Sequence, residues 1–239
     1  MGVHIGWPLS LGPRTLRMTE SLVTLIGTAL RWLGFAALPL LAMPIALLFL
    51  PRLLAAPSRI LARQIDRLSE ATMGLAMGFA FAIIIIQLLG VLLRYVFGLN
   101  FSWMNDSVVF AFAAIFMLGA AGTLKADGHV RVDIMRPRFS PKVLAGIELI
   151  GTMGFIFPIG CLILYSGAGL VARSWIDLEP FNESDGLPVK YLFKTLVPIF
   201  AVLLISQGLA QAIRAALSLR GQPLSANAPD SGAQSRPQT

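Results

Sequence analysis

The chain has 239 residues, of which 56% are hydrophobic and 13% charged, and its formal net charge is +7. Soluble domains carry about 25% charged residues, so this composition argues against a soluble globular protein and predicts an all-α integral membrane protein. The basic residues lie between apolar runs rather than along one face of a domain, which argues against a nucleic-acid-binding surface.

The first predicted element is an extra hydrophobic helix in an N-terminal extension over residues 1–57. Its apolar run, 32–50, is long enough to cross a bilayer but contains Pro39 and Pro44. Proline kinks a helix, although neighbouring helices in a membrane can satisfy the backbone groups that it leaves unbonded. The sequence is compatible with either a membrane-spanning helix or a re-entrant hairpin over 32–50. A cleaved signal peptide ranks last, because the run exceeds the usual apolar core of about 7–15 residues.

Residues 58–71 predict an amphipathic helix at the cytoplasmic membrane surface. Its apolar residues recur at helical spacing: Ile60, Leu61, Ile65 and Leu68. The other face carries the charged residues Arg59, Arg63, Arg67 and Glu70. Arginines in this arrangement bind anionic lipid head groups, so membrane lipids are predicted partners. A solvated linker with accidental periodicity is the alternative.

Four further apolar runs predict a membrane core over residues 72–217. A spanning helix needs about 20 mostly apolar residues, because its backbone polar groups must be satisfied within the segment. The runs are 73–93, 107–124, 149–172 and 195–213. The third helix is predicted to begin with Ser140 as its cap and Pro141 at its first position. The tail, 218–239, is rich in Pro, Ser, Gln and Ala and is predicted to be disordered.

The Lys and Arg residues between these runs predict the orientation in the membrane. Residues 51–72 hold four of them, residues 125–142 hold five, and the segment from 214 onward holds three. The loop at 94–106 holds only Arg94. Cytoplasmic loops carry the excess of positive charge, so the C-terminus is predicted to be cytoplasmic and the loop at 173–194 to lie outside.

The sequence offers little material for catalysis or cofactor binding. Its single cysteine, Cys161, permits neither an internal disulfide nor a thiolate metal site, and neither His4 nor His129 lies within an apolar run to ligate a haem. No phosphate loop with GK[ST], HExxH or GxSxG motif occurs. We therefore predict no catalytic, cofactor-binding or metal-binding residues. A chain that crosses the membrane repeatedly, with few polar groups inside it, is predicted to be a scaffold.

Three short motifs then point to a family. RYVFG stands at 94–98, WMND at 103–106 and HVRVD at 129–133. Their order and spacing resemble the small membrane subunit (DctQ-like small permease) of tripartite ATP-independent periplasmic (TRAP) transporters, over residues 68–217. Asn105 departs from this pattern, since most members carry an acidic residue there. The N-terminal extension lies outside the resemblance.

Two later motifs narrow the resemblance. SDGLP at 184–188 and KTLVP at 194–198 are similar to the branch often labelled for mannitol or chloroaromatic compounds, whose binding proteins more often take 2-oxo acids or related carboxylates. The resemblance implies sodium-driven uptake across the bacterial inner membrane. A periplasmic substrate-binding protein delivers a carboxylate to the large TRAP permease subunit, which the small subunit braces and helps to dock.

Candidate functional residues follow from this resemblance and from the charge pattern. The candidates for docking the binding protein are Asn105, Asp106, Asp177, Glu179, Glu183 and Asp185. The family-motif residues, for which structural anchoring is favoured over recognition or catalysis, are Arg94, Tyr95, Trp103, His129, Arg131 and Asp133. A merely solvated acidic loop is the alternative for the first group. For the chain as a whole, the alternatives are an accessory subunit of another membrane complex and, less favoured, a membrane lipid enzyme.

Overall fold

The computed structural model describes residues 41–126, 139–176, 178, 186–187 and 189–222. Predictions that concern residues 1–40 and the tail from 223 onward lie outside this part of the chain. The described part is helical, which confirms the predicted all-α class.

The helices alternate in direction through the bundle. We number them α1 (Pro51–Phe97), α2 (Ser102–Lys125), α3 (Pro141–Gly151), α4 (Phe157–Ile176) and α5 (Lys190–Leu219). A π-helical turn, Thr152–Ile156, joins α3 to α4, so that Pro141–Ile176 is one continuous helical span. Together with α1, α2 and α5 it makes four helices long and apolar enough to cross a membrane in the described part of the chain.

Helix α1 is much longer than a bilayer requires. Its 47 residues extend for about 70 Å at 1.5 Å per residue, against a hydrocarbon core of about 30 Å. It begins with Pro51, which needs no hydrogen bond there, and ends at Gly98, whose φ of 66° is left-handed. The predicted boundary between an interfacial helix ending at 71 and a core beginning at 72 falls inside this unbroken helix.

The first half of α1 packs on α5 through the face that carries Ala62, Ile65 and Ser69, which are buried. Ile60 and Leu68 of the predicted apolar side are exposed on the surface of the bundle, and their contact with the membrane stays a prediction. On the packed face, Asp66 and Ser69 bind polar groups of α5. Apolar periodicity alone does not reveal such a polar contact.

The beginning of α3 confirms the predicted cap. The Ser140 side chain accepts a hydrogen bond from the Val143 amide at 3.4 Å, and Pro141 occupies the first turn. The π-helical turn ends two residues before Pro158, whose nitrogen has no hydrogen to donate. Such turns accommodate an extra residue where regular helical bonding is interrupted.

Helix α5 forms the centre of the bundle. It packs against α1 and α2, which also pack against each other, and against the continuous span of α3, the π-helical turn and α4. Half of the residues in its most apolar stretch are buried, compared with 6% in that of α1. Its buried small residues are Ala201, Gly208, Ala210, Ala212, Ala215 and Ala216. Small side chains let helix backbones approach closely.

Glycines mark the closest approach between α4 and α5. A Cβ atom on Gly208 would lie 2.8 Å from Ile156 Cγ2, and one on Gly160 would overlap the Ile205 side chain. By contrast, Cβ atoms on Gly74 and Gly78 of α1 would meet nothing within 4 Å in the described part of the chain. That pair therefore faces outward.

The end of the N-terminal extension packs on the core. Residues 41–49 are helical, and Leu47 is completely buried in a cluster with Ile213 and Leu217 of α5. Leu48 packs against a second cluster that contains Leu149 of α3. The extension is thus anchored to α3 and α5. Whether 32–50 spans the membrane stays a prediction, because 32–40 lies outside the described residues.

Candidate partner-docking sites

The bundle has two ends with different chemistry. We call the end where α1 and α3 begin and α2 and α5 finish the predicted inner end, because the basic segments flank it. The opposite end, where α1 and α4 finish and α2 and α5 begin, is the predicted outer end. The orientation itself stays a prediction from the distribution of Lys and Arg.

At the predicted outer end, Asp106 holds a loop. Its Oδ2 accepts a hydrogen bond from the backbone N–H of Leu187 at 3.0 Å, and its side chain is half-buried. This bond fixes the segment before α5 beside the first turn of α2. Asp106, predicted as a docking residue, therefore has a structural contact of its own. Its neighbour Asn105 is exposed and lines an open recess.

A second contact at this end ties α4 to α5. Trp175 donates its Nε1–H to Thr195 Oγ1 at 2.8 Å, and its ring meets that of Tyr191 edge to face, with 4.9 Å between ring centroids. The Thr195 hydroxyl in turn donates to the Tyr191 carbonyl at 2.7 Å. The amphipathic rings of Trp and Tyr favour the membrane–water interface. The position of this contact agrees with that preference.

The motif residues of the first loop lie around the recess. Arg94 and Tyr95 line it together with Asn100, Phe101 and other residues of α1 and α2, and its volume is about 240 Å³. Trp103 is exposed, and its ring lies 6.2 Å from that of Phe101. The structure thus brings Arg94, Tyr95 and Asn105 to one surface at the predicted outer end.

Seven of the predicted site residues fall outside the described part of the chain. They are Asp177, Glu179, Glu183, Asp185, His129, Arg131 and Asp133. The segment that carries the four acidic ones is nevertheless attached at the predicted outer end on both sides. It follows the end of α4 at Ile176 and precedes Leu187, which binds Asp106.

At the predicted inner end the structure reveals a polar cluster that the sequence did not suggest. Arg214 of α5 donates to both carboxylate oxygens of Asp66 in α1 at 3.0 Å. Gln207, which is completely buried, donates to Asp66 Oδ1 at 3.4 Å and accepts a hydrogen bond from the Ser69 hydroxyl at 2.8 Å. We call Asp66, Ser69, Gln207 and Arg214 the inner polar cluster.

A more exposed ion pair lies one helical turn along α1. Lys125, the last residue of α2, binds Glu70 Oε1. With the inner polar cluster, it fastens α1 to both of its neighbours near the predicted inner end. The sequence signal for the cluster is Gln207, one of two amides inside the apolar run 195–213, because buried polar groups require partners. The partners are 138 and 141 residues away, so the sequence does not identify them.

The family model described as "Tripartite ATP-independent periplasmic transporters, DctQ component" matches residues 83–218, more than half of the chain. The chain belongs to this family. Comparisons with curated proteins and with solved structures found no match.

Membership of the DctQ component family confirms the resemblance carried by the short motifs. The chain is a small subunit of a TRAP transporter, and its four apolar helices make it a multi-pass membrane protein. DctQ components work with a large permease and a periplasmic binding protein, so partners of both kinds belong to its assembly. The family is a transporter component and not an enzyme family. The matched region contains the recess, Asp106 and Gln207.

Proposed function

We propose that this DctQ component braces the large permease subunit within the bacterial inner membrane and helps to dock the periplasmic binding protein at its outer end. One observation supports the bracing role above others: only 6% of the residues in the most apolar stretch of α1 are buried, whereas half of those in α5 are. Helix α1 packs on α2 and α5 through one side, so its other, apolar side is open to a neighbour. The polar contacts near the predicted inner end would hold that surface rigid.

Docking is supported by the concentration of acidic residues at the predicted outer end. Asp177, Glu179, Glu183 and Asp185 lie in the segment attached there. Exposed acidic residues attract a basic patch on a diffusing partner and so raise the association rate more than the final affinity. We assign these four residues, with Asn105, to the first encounter with the binding protein. Asp106 contributes by positioning the loop that follows them.

The transported substrate in this proposal is a carboxylate of the 2-oxo acid type, and the sodium gradient drives its uptake. The SDGLP and KTLVP motifs, which resemble the mannitol or chloroaromatic branch, support that substrate class. The binding protein selects the substrate, so the substrate is tested on that protein. A rise in its melting temperature with 2-oxo acids, but not with the corresponding 2-hydroxy acids, would support the assignment.

The orientation in this proposal places the C-terminus in the cytoplasm. It also places Arg63 and Arg67, which are exposed on the first half of α1, near anionic head groups of the inner leaflet. Alkaline phosphatase fused after residue 222 would then be inactive, and the same enzyme inserted after residue 178 would be active. The opposite result would invert the orientation.

The bracing role is tested by purifying the tagged chain in mild detergent and identifying the proteins that accompany it by mass spectrometry. We expect a large multi-helix permease at one-to-one stoichiometry. A stable chain that purifies alone would contradict the bracing role. It would favour the two alternatives, an accessory subunit of another complex or a lipid enzyme.

The docking role is tested by charge reversal. Replacing Asp177, Glu179, Glu183 and Asp185 with lysine is expected to lower uptake about tenfold at limiting binding protein, because steered association rates change by about 10-fold or more. At saturating binding protein the loss should shrink. A variant with the corresponding amides, which removes the negative charges without reversing them, serves as the matched control. Its uptake should lie between that of the unmodified chain and that of the lysine variant. Equal uptake by all three proteins at every concentration would exclude docking by this segment.

A further inference from the structure

The outward face of α1 carries a polar side chain well inside the membrane. Gln87 lies six residues before the end of the apolar run 73–93, which places it about 9 Å from that end. In a bilayer whose hydrocarbon core is about 30 Å thick, this position is within the core. The side chain is exposed, and within the described part of the chain it makes no hydrogen bond.

An uncovered amide at this depth is unfavourable. Acyl chains offer neither donors nor acceptors, so each polar group left unpaired among them raises the free energy of the protein. By contrast, Gln207 in the apolar run of α5 is completely buried and bonded to Ser69 and Asp66. Gln87 differs from it because it makes no hydrogen bond within the described chain and lines an open recess between α1 and α2, beside Val91 of α1 and Met104 of α2.

A second polar residue shares this face of the helix. Arg94 is seven residues, or two turns, further along α1, about 10 Å closer to the predicted outer end. It lines the same recess as Gln87, is exposed, and forms no ion pair within the described residues. Gly90 lies between them, and a Cβ atom there would lie 3.5 Å from Met104 Cε of α2, so α2 borders this face. The face therefore presents an amide and a guanidinium in register, next to a recess of about 240 Å³.

We propose that this face, from Gln87 to Arg94, receives a transmembrane helix of the large permease subunit. That helix would place an amide or hydroxyl side chain opposite Gln87 and a carboxylate opposite Arg94. The inference rests on the proposed bracing role and identifies the surface that performs it. A phospholipid is the weaker occupant, because its phosphate can reach Arg94 at the interface but its acyl chains have nothing to offer Gln87.

The chemistry required of the partner is specific. A primary amide both donates and accepts, so Asn, Gln, Ser or Thr on the incoming helix can satisfy it, whereas an aliphatic residue cannot. Interhelical hydrogen bonds of this kind stabilise helix association in membranes and fix the register of the two helices. Arg94 adds a charge-assisted contact nearer the interface, where a bidentate carboxylate fits its planar geometry.

Site-specific photo-crosslinking tests the surface. A photoreactive phenylalanine analogue is placed at Val91, between Gln87 and Arg94, and at Leu162 on α4 as the matched control, since both side chains are exposed. With the tagged full-length chain co-expressed with its large permease, we expect an adduct with that permease from position 91 and not from 162. Three results would each overturn the proposal. They are a permease adduct from position 162 only, an adduct of position 91 with phospholipid, and an internal cross-link of position 91 to residues 1–40.

A pair of substitutions gives an independent readout. Gln87→Leu is expected to reduce the permease retained on the tagged chain by roughly three- to tenfold, the scale of one lost interhelical polar contact. Gln87→Asn should retain part of it. Cys161→Leu, a similar change on the exposed part of α4, should have no effect. If Gln87 simply faced lipid, Gln87→Leu would leave retention unchanged and would make the isolated chain more stable, which would overturn the proposal.

These experiments distinguish an incorrect assignment of the contact surface from an incorrect proposed function. If the unmodified chain retains the permease but none of the results expected for Val91 and Gln87 is observed, the bracing role stands and the assignment of the contact to this face is wrong. If the unmodified chain retains no permease at all, the bracing role fails and the inference fails with it.

Discussion

The carboxylate of Asp66 binds the guanidinium of Arg214 through both of its oxygens, each 3.0 Å from Nη1. The two residues are 148 positions apart in sequence and join the first half of α1 to the last turns of α5. Both side chains are mostly buried, with 16% of Asp66 and 23% of Arg214 exposed. This contact, together with Gln207 and Ser69, makes the predicted inner end of the bundle a fixed unit.

Removing one partner of this pair should destabilise the chain. Arg214→Gln or Asp66→Asn leaves a largely buried charge without its partner, at a cost of about 1–3 kcal/mol in the free energy of unfolding. For a chain of this length that corresponds to a fall of several degrees in melting temperature, at roughly 2–4 °C per kcal/mol. The measurement is thermal unfolding of the purified protein in detergent, followed by size-exclusion chromatography.

The Glu70–Lys125 pair provides the control for this prediction. The Glu70 side chain is 67% exposed, and exposed pairs contribute only about 0–1 kcal/mol. Glu70→Gln should therefore leave the melting temperature almost unchanged. A fall as large as that of Asp66→Asn would show that exposure does not separate the two pairs and that our ranking of them is wrong.

Much of this architecture was predictable from the sequence because bilayers impose strong rules. The four apolar runs, the Ser140 cap and Pro141 at the start of α3 all appear in the structure. What could not be predicted was which side of the first half of α1 packs inward. The polar partner of Asp66 lies at the other end of the chain, and no local pattern connects it to residue 214.

Gly208 is expected to tolerate no larger side chain. A Cβ atom there would lie 2.8 Å from Ile156 Cγ2 and 3.3 Å from Phe157 Cε1, so Gly208→Val forces α4 and α5 apart. Overpacking of this kind costs about 1–3 kcal/mol. The expected result is a lower yield of folded protein and a lower melting temperature. Gly169→Val on α4, where a Cβ atom meets nothing within 4 Å in the described residues, is the control and should behave as wild type.

Trp175 is expected to act through both its ring and its N–H group. Trp175→Phe keeps an aromatic contact with Tyr191 but removes the 2.8 Å hydrogen bond to Thr195, whereas Trp175→Ala removes both. We expect losses of about 0.5–1.5 kcal/mol for Phe and a larger loss for Ala. Trp103→Phe serves as the control, since the exposed Trp103 side chain donates no hydrogen bond within the described residues and Phe keeps its aromatic neighbour Phe101. Equal stability of Trp175→Phe and Trp175→Ala would contradict a contribution from the ring.

The candidate docking site was only partly accessible to sequence reasoning. The resemblance singled out Asp106, but a motif cannot distinguish a carboxylate that meets a partner from one that holds its own loop. The structure supplies the second role, because Asp106 accepts a hydrogen bond from the Leu187 N–H, 81 residues away in sequence. In the same way, the sequence places Gln87 inside the apolar run 73–93, but only the fold shows that its side chain is exposed.

The docking and anchoring roles of Asp106 predict opposite effects of the Asp106→Asn substitution on uptake. A loop anchor needs an acceptor and no charge, so Asp106→Asn, whose side-chain oxygen can still accept the Leu187 N–H, should retain most uptake activity. Asp106→Ala leaves that N–H without its partner, at a cost of about 1–3 kcal/mol. It should release the segment before α5 and lower uptake severalfold. The measurement is uptake in proteoliposomes at limiting and at saturating binding protein. If Asp106→Asn loses as much activity as Asp106→Ala, and does so only at limiting binding protein, the charge itself acts in docking and the anchoring role is secondary.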